Sequence, residues 1–172
     1  MNVFLVGPMG SGKSAVGRQL ARRLGLEFVD SDDEIVTRTG VDVAYIFEKE
    51  GEAGFRARES EVIDELTLRH NVVVATGGGA VLDPANRERL RGRGRVVYLR
   101  TSVDQQLTRT RRSDTRPLLD NPDPRGTLVR LMALRAPLYA EAAEITVDTD
   151  GRKVKTVVDQ ICRELGVAEQ NP

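Results

Sequence analysis

The glycine-rich stretch GPMGSGKS at residues 7–14 constrains the fold more than any other part of the sequence. It follows an apolar run at residues 2–6 and precedes a helical pattern in which Val16, Leu20 and Leu24 recur every four residues. A G-x-x-x-x-G-K-S loop between a strand and a helix surrounds phosphates with backbone N–H groups, and the helix N-terminus adds a favourable dipole. The sequence therefore predicts a nucleoside triphosphate site.

The same spacing assigns chemistry to two side chains of this loop. The Lys13 ammonium is within reach of the β- and γ-phosphates, and the Ser14 hydroxyl is a ligand for Mg²⁺. The predicted nucleotide contacts from the loop are Gly10, Ser11, Gly12, Lys13, Ser14 and Ala15. Nothing in the loop indicates which molecule receives a phosphate.

Four further apolar runs, at residues 27–29, 72–75, 96–99 and 145–147, alternate with helical patterns. Strands that alternate with helices form a parallel sheet whose right-handed crossovers cover both faces. We therefore predict an α/β fold: a three-layer α/β/α domain around a five-stranded parallel sheet. At 172 residues the chain fits one such domain.

A polar stretch at residues 111–126 has no strong periodicity and holds three of the seven prolines. A loop of this length inside a compact domain is usually functional. We predict that it forms a lid over the site.

The composition argues against several classes of partner. The formal net charge is zero, which gives no overall attraction to nucleic acid or to an acidic membrane. No apolar run approaches the roughly 18 residues that span a bilayer. The single cysteine, Cys162, cannot form an intrachain disulfide and favours the reducing cytoplasm.

The acidic cluster DSDD at residues 30–33 follows the second predicted strand. At the carboxyl edge of a parallel sheet, where ligands bind, Asp30 and Asp32 are candidates to surround Mg²⁺ and to orient an acceptor hydroxyl and take its proton. The same residues fit the N-terminus of a helix starting near Asp33, where acidic side chains cap free N–H groups. The pattern alone leaves both interpretations open.

Three arginines are candidates to bind an anionic acceptor. Arg56 and Glu59 lie three residues apart on one helical face, where a surface ion pair is the default expectation. Arg116 and Arg135 each lie beside or near a proline. A guanidinium grips a carboxylate or phosphate through two parallel hydrogen bonds, but spacing alone does not select among so many arginines.

Three consecutive glycines, Gly77, Gly78 and Gly79, follow the third predicted strand. Either a ligand approaches their backbone closely, or the chain needs them for a turn or for tight packing.

Six motifs in order, GxxGxGKS, DSD, GFRxxE, TGGGAV, RPLL and RxPLY, resemble the shikimate kinase family along essentially the whole chain. The resemblance implies a P-loop fold similar to that of nucleoside monophosphate kinases, with substrate-binding helices at about residues 31–70. It also implies transfer of the γ-phosphoryl group of ATP to the 3-hydroxyl of shikimate, a polyhydroxylated ring acid, with Mg²⁺ as cofactor. A cytoplasmic monomer is expected, although the sequence carries no direct signal of assembly.

The resemblance also implies roles for single residues. Asp30 belongs to the magnesium environment, Asp32 binds ring hydroxyls and acts as the base, and Arg116 reaches the transferring phosphate from the lid. Arg109 lies beside the adenine, with Arg152 as a second candidate there. The implied shikimate-binding residues are Asp32, Arg56, Gly77, Gly78, Gly79 and Arg135, with Glu59 holding Arg56 and Arg135 in place.

Two other functions remain open on the motifs alone. One is a P-loop kinase for a sugar acid or a nucleotide, although two arginines for a single carboxylate favour a monoacid. The other is a nucleotide-binding module without catalysis, which the intact set of Lys13, Ser14, Asp30, Asp32 and Arg116 argues against.

Overall fold

The computed structural model describes residues 1–110 and 122–167. The strands in this part of the chain are β1 (Val3–Val6), β2 (Glu27–Asp30), β3 (Val72–Ala75), β4 (Arg95–Arg100) and β5 (Ile145–Asp148). The helices are α1 (Lys13–Leu24), α2 (Ser31–Thr39), α3 (Val43–Thr67), α4 (Pro84–Arg93), α5 (Val103–Thr110), α6 (Pro124–Ala142) and α7 (Val154–Leu165). A short 3₁₀ turn, Ala80–Leu82, precedes α4.

The five strands form one parallel sheet in the order β2-β3-β1-β4-β5. Val3 of β1 aligns with Val73 of β3 on one side and with Arg95 of β4 on the other. All carboxyl ends therefore meet at one edge, with the loop after β1 at its centre. This is the point where open α/β sheets bind their ligands.

The alternation of side chains along β1 divides the core into two layers. Phe4 and Val6 pack in a cluster with residues of α3, α4 and α6. Val3 and Leu5 point the other way, into a cluster with residues of α1 and α7. The predicted three-layer α/β/α architecture with its five-stranded parallel sheet is confirmed.

Helix α3 is two helical segments joined at Gly51, whose φ of 72° and ψ of −178° interrupt the helix. A left-handed φ strains any residue with a Cβ, so glycine suits this position. Arg58 in the second segment donates from Nε to Oε1 and from Nη2 to Oε2 of Glu50 in the first, at 2.6 and 3.0 Å. This bidentate pair links the two segments across the break.

The lid predicted at residues 111–126 overlaps the start of α6, whose first three residues belong to that range. Pro124 is in the first turn of α6, and Asp123 caps that helix by accepting from the N–H of Gly126. Residues 111–121 of the predicted lid lie outside the described residues. Within residues 1–110 and 122–167, no helix is both long enough and apolar enough to cross a membrane.

Candidate active site

A cavity of about 670 Å³ lies at the carboxyl edge of the sheet. The predicted site residues that line it are Gly10, Gly12, Lys13, Ser14, Ala15, Asp30, Asp32, Arg56, Glu59, Gly77, Gly78, Gly79, Arg109 and Arg135. Ser11 is buried in the glycine loop and Arg152 does not line the cavity, while Arg116 lies outside the described residues. The fold thus brings the nucleotide motif and the candidate acceptor residues into one space.

The glycine loop presents the start of α1 to this cavity. Gly10 and Gly12 have φ of 77° and 90°, the left-handed region that favours glycine. No side chain caps the first turn of α1, so its N–H groups remain available to an anion. Lys13 Nζ donates to the carbonyl oxygens of Gly7 and Pro8, at 2.7 and 2.8 Å, and so lies over the loop.

Asp30 joins the glycine loop to the acidic cluster. Its Oδ2 accepts from Ser14 Oγ at 2.5 Å, and its Oδ1 accepts from the N–H groups of Asp32 and Asp33 at 2.9 and 3.2 Å. Asp30 is therefore the N-cap of α2, which begins at Ser31, two residues earlier than the start expected near Asp33. Capping by one oxygen leaves the other directed to the loop, so the two interpretations of the cluster are compatible.

The Ser14 hydroxyl and the Asp30 carboxylate fit a magnesium site. Both are oxygen donors, and Mg²⁺ is usually held by one or two protein groups together with substrate phosphates and water. Within residues 1–110 and 122–167, no group of three or more His, Cys, Asp or Glu side chains could hold a metal by itself. The donor set matches an ion that arrives with a nucleotide.

Glu59 is far more buried than a surface ion pair would be. Its side chain is 1% exposed, against 20% for Arg56, whose Nη1 donates to Glu59 Oε1 at 2.9 Å. Burial raises the pKa of Glu59 to about 7, although the charge and hydrogen bond of Arg56 oppose the shift. The expectation of a surface ion pair was wrong, because the second segment of α3 packs this face against the core.

The three glycines have different neighbours. A Cβ on Gly77 would lie 2.7 Å from Glu59 Oε2 and 2.9 Å from Asp32 Oδ1. A Cβ on Gly79 would collide with the Arg56 guanidinium, 2.5 Å from its Cζ. At Gly78 the nearest atoms would be 3.4 Å away or more, which is ordinary contact. A side chain at 77 or 79 would therefore displace charged groups of the site, whereas a Cβ at 78 would make only ordinary contacts.

Arg135 approaches the glycines from the other side. It is 4% exposed in α6, and its Nη1 lies 3.7 Å from a Cβ built on Gly78. Tyr139, one turn later in α6, donates from its hydroxyl to the carbonyl oxygen of Gly78 at 2.5 Å. Burial raises the pKa of Tyr139, which keeps this donor protonated. Arg56 and Arg135 thus flank one loop, which spacing along the chain did not reveal.

Two arginines were predicted beside the adenine. Arg109 donates from Nη1 to the Gly10 carbonyl oxygen at 2.9 Å and from Nη2 to that of Thr149 at 3.3 Å, so it bridges the glycine loop and the loop after β5. Arg152 donates instead to the Asp148 carbonyl oxygen and to Gln160 Oε1 of α7. Only Arg109 lines the cavity.

Sequence reasoning missed several lining residues. These are Met9, Arg18, Val36, Asp42, Val43, Ala44 and Thr76. Met9 lies within the glycine motif at residues 7–14 and Thr76 directly precedes Gly77, so their sequence positions indicate that both lie near the site. Val36, Asp42, Val43 and Ala44 come from the end of α2 and the start of α3, which reach the cavity only through tertiary packing.

The family model, the curated relatives and the more similar solved structures are shikimate kinases. A family model described as shikimate kinase matches residues 9–166. The shikimate kinase of Halorhodospira halophila is 59% identical over 163 residues, which are 95% of this chain and 92% of that protein. The solved structure of shikimate kinase from Acinetobacter baumannii in complex with shikimate has 50% identity and a TM-score of 0.94, covering 95% of this chain and 92% of its own. That of Bacteroides thetaiotaomicron shikimate kinase has 30% identity and a TM-score of 0.89, covering 97% and 99%.

Proposed function

This chain belongs to the shikimate kinase family, and on that premise we propose how its own residues divide the work of the reaction. As a member of the family it is an ATP-dependent kinase: it transfers the γ-phosphoryl group of ATP to the 3-hydroxyl of shikimate, giving shikimate 3-phosphate and ADP in aromatic amino acid biosynthesis. The assignment of roles rests on one observation: the glycine loop at residues 7–14 and the two arginines Arg56 and Arg135 line the same cavity.

On the donor side, the backbone of residues 10–15 binds the phosphates of ATP. The support is the uncapped start of α1, whose N–H groups favour an anion. Lys13, which lies over the loop, turns to the β- and γ-phosphates and neutralises charge that develops during transfer. Arg109 packs beside the adenine, because it already joins the glycine loop to the loop after β5. Arg152 is a second, outer neighbour of the adenine.

Ser14 and Asp30 would hold Mg²⁺ at the phosphates. Their two oxygens lie 2.5 Å apart at the entrance to α1. When bound, the ion supplies charge neutralisation at the phosphoryl oxygens.

On the acceptor side, Arg56 and Arg135 bind the carboxylate of shikimate, Arg56 beside Gly79 and Arg135 beside Gly78. Asp32 orients the 3-hydroxyl and accepts its proton, since it lies in the first turn of α2, next to Ser31, whose Oγ accepts from the Gly77 N–H. The ring lies against the backbone of residues 77–79, where Arg135 Nη1 is 3.7 Å from the Cβ position of Gly78. Glu59 orients Arg56 and, through its charge, Arg135. Arg116 reaches the transferring phosphate from the lid.

The proposed acting form is a cytoplasmic monomer. The single cysteine leaves no intrachain disulfide to form, which favours a reducing compartment.

The test is ADP release from Mg²⁺·ATP with shikimate, gluconate or AMP as the acceptor. We expect turnover with shikimate only, and none in Lys13→Ala, while Lys49→Ala, an exposed lysine of α3, keeps the activity of the unchanged protein. Turnover of gluconate or AMP would point to one of the other kinases, and tight ATP binding without turnover of any acid would support a non-catalytic nucleotide-binding module.

A further inference from the structure

The acid-binding end of the cavity holds two cations and two carboxyl groups. Arg56 and Arg135 supply the positive charges, and Asp32 and Glu59 supply the carboxyl groups. With both carboxyl groups ionised these four charges already cancel. A ligand carboxylate would then add an uncompensated negative charge to a poorly hydrated space, which is costly.

Glu59 is the group placed to remove that excess charge. Its Oε1 accepts from Arg56, while its Oε2, which is buried, has no hydrogen-bond partner among the described residues. Oε2 lies against Gly77 on the same side as Asp32 Oδ1, since a Cβ at that glycine would touch both oxygens. A proton on Glu59 Oε2 would therefore relieve repulsion with Asp32 and with an incoming carboxylate together.

We propose that Glu59 takes up a proton when a carboxylate ligand binds between Arg56 and Arg135, so that acid binding and proton binding are linked. The inference rests on the proposed function, because it requires the two arginines to bind the acid. Protonated, Glu59 leaves two cations facing one carboxylate of the protein and one of the ligand. The charges then cancel again, and Arg56 is released from sharing its charge with an ionised neighbour.

The charged surroundings of Glu59 support this assignment. The groups that face it are Arg56 on its own helix, Asp32 from α2 and Arg135 from α6, and the three glycines at residues 77–79 add no charge. Burial raises the pKa of Glu59 to about 7, so the carboxyl is partly ionised at neutral pH and a small added repulsion changes its protonation. His70, the only histidine, precedes β3 and therefore lies at the opposite edge of the sheet.

Isothermal titration of shikimate into the full-length protein measures the linkage directly. The observed heat, compared among buffers with different ionisation enthalpies, gives the number of protons taken up per ligand. We expect about half a proton or more at pH 7.5 and close to none at pH 5.5, where Glu59 already carries its proton. The affinity for shikimate should weaken by up to about tenfold per pH unit above neutrality.

Variants assign the proton to its carboxyl group. Glu59→Gln should still bind shikimate but take up no proton, whereas Glu48→Gln, an exposed residue of the same helix, and His70→Gln should match the unchanged protein. If Glu59→Gln does not fold, an infrared difference spectrum of the unchanged protein should show a protonated carboxyl group gained on binding.

The possible failures are distinguishable. Shikimate binding at pH 7.5 without proton uptake overturns the inference and leaves the proposed function standing. So does uptake that persists in Glu59→Gln or disappears in His70→Gln, or an infrared spectrum without the gained carboxyl band. No shikimate binding at either pH overturns the proposed function itself, and the inference with it.

Discussion

Ser14 donates its hydroxyl hydrogen to Asp30 Oδ2 across 2.5 Å, which joins the first turn of α1 to the end of β2. The other oxygen of Asp30 caps α2, so one side chain connects the nucleotide loop with the helix that carries Asp32. The donor and acceptor halves of the site are thereby held in a fixed relation before any ligand arrives.

Asp30→Asn should separate these two tasks. Asparagine caps a helix about as well as aspartate, so the free energy of unfolding should change by less than about 0.5 kcal/mol. The Mg²⁺ concentration for half-maximal activity should rise roughly 10–100-fold, the range typical for lost groups around a metal. Asp83→Asn, which alters the cap of α4 away from the cavity, is the matched control. An unchanged magnesium requirement would remove Asp30 from the metal site.

Arg135→Ala should raise KM for shikimate by roughly 10–100-fold, because losing a charge-assisted hydrogen-bonded pair costs about 1.5–3 kcal/mol. The KM for ATP should change little, since Arg135 lies at the glycines 77–79 and not at the nucleotide loop. Steady-state kinetics with each substrate varied measures both. Arg130→Ala, exposed on the same helix, is the control. A shikimate KM within twofold of the starting value would argue that Arg135 is structural.

Arg116→Ala should lower kcat by about 10³ or more and leave both KM values near normal, as for arginines that stabilise the transferring phosphoryl group elsewhere. Arg125→Ala, an exposed residue of α6 paired with Asp104, should retain full activity. Single-turnover measurements would show whether the lower kcat reflects a slower phosphoryl-transfer step. A loss below tenfold would assign the lid arginine a role outside catalysis.

Alanine at the three glycines should give three different results. Gly78→Ala should fold normally and lose affinity for shikimate while keeping that for ATP, because its Cβ would make only ordinary contacts, one of them with Arg135 of the proposed acid site. Gly77→Ala and Gly79→Ala should also lose stability, by about 1–3 kcal/mol, since their Cβ atoms strike charged side chains. Calorimetric binding and thermal unfolding measure the two effects.

Gly92→Ala supplies the control for this series. It lies inside α4 with nothing near its Cβ, and should gain about 0.5–1 kcal/mol of stability. Equal loss of acid and ATP binding in Gly78→Ala would favour a packing role for that glycine.

The pH dependence of stability should change in Glu59→Gln. The raised pKa of Glu59 means that the folded protein holds a proton between about pH 4.5 and pH 7 that the unfolded chain has lost. The contribution of Glu59 to the free energy of unfolding is therefore complete below pH 4.5, declines as the pH rises, and is gone above about pH 7. Urea unfolding should show the unchanged protein losing about 2 kcal/mol relative to Glu59→Gln between pH 5 and pH 7.5. Parallel pH curves would contradict the raised pKa, and Glu48→Gln, an exposed carboxyl of the same helix, is the control.

The sheet, the nucleotide loop and the family could all be predicted from the amino-acid sequence. Those features depend on local spacing: a strand, a glycine loop and a helix follow one another within residues 2–24, and each of the six motifs is contiguous. The Arg56–Glu59 pair also follows from local spacing, because residues three apart on a helix share a face. The predicted strands agree with the structure to within one or two residues.

The contacts between the acidic and basic groups, in contrast, depend on how distant segments pack together. The burial of Glu59, its approach to Gly77 and the closeness of Arg56 to Gly79 arise where α3 packs on the loop after β3. These residues are about twenty positions apart in the chain, so no periodic pattern links them. The protonation of Glu59 follows from that packing, because removal of water, and not the sequence neighbourhood, sets the energy of its charge.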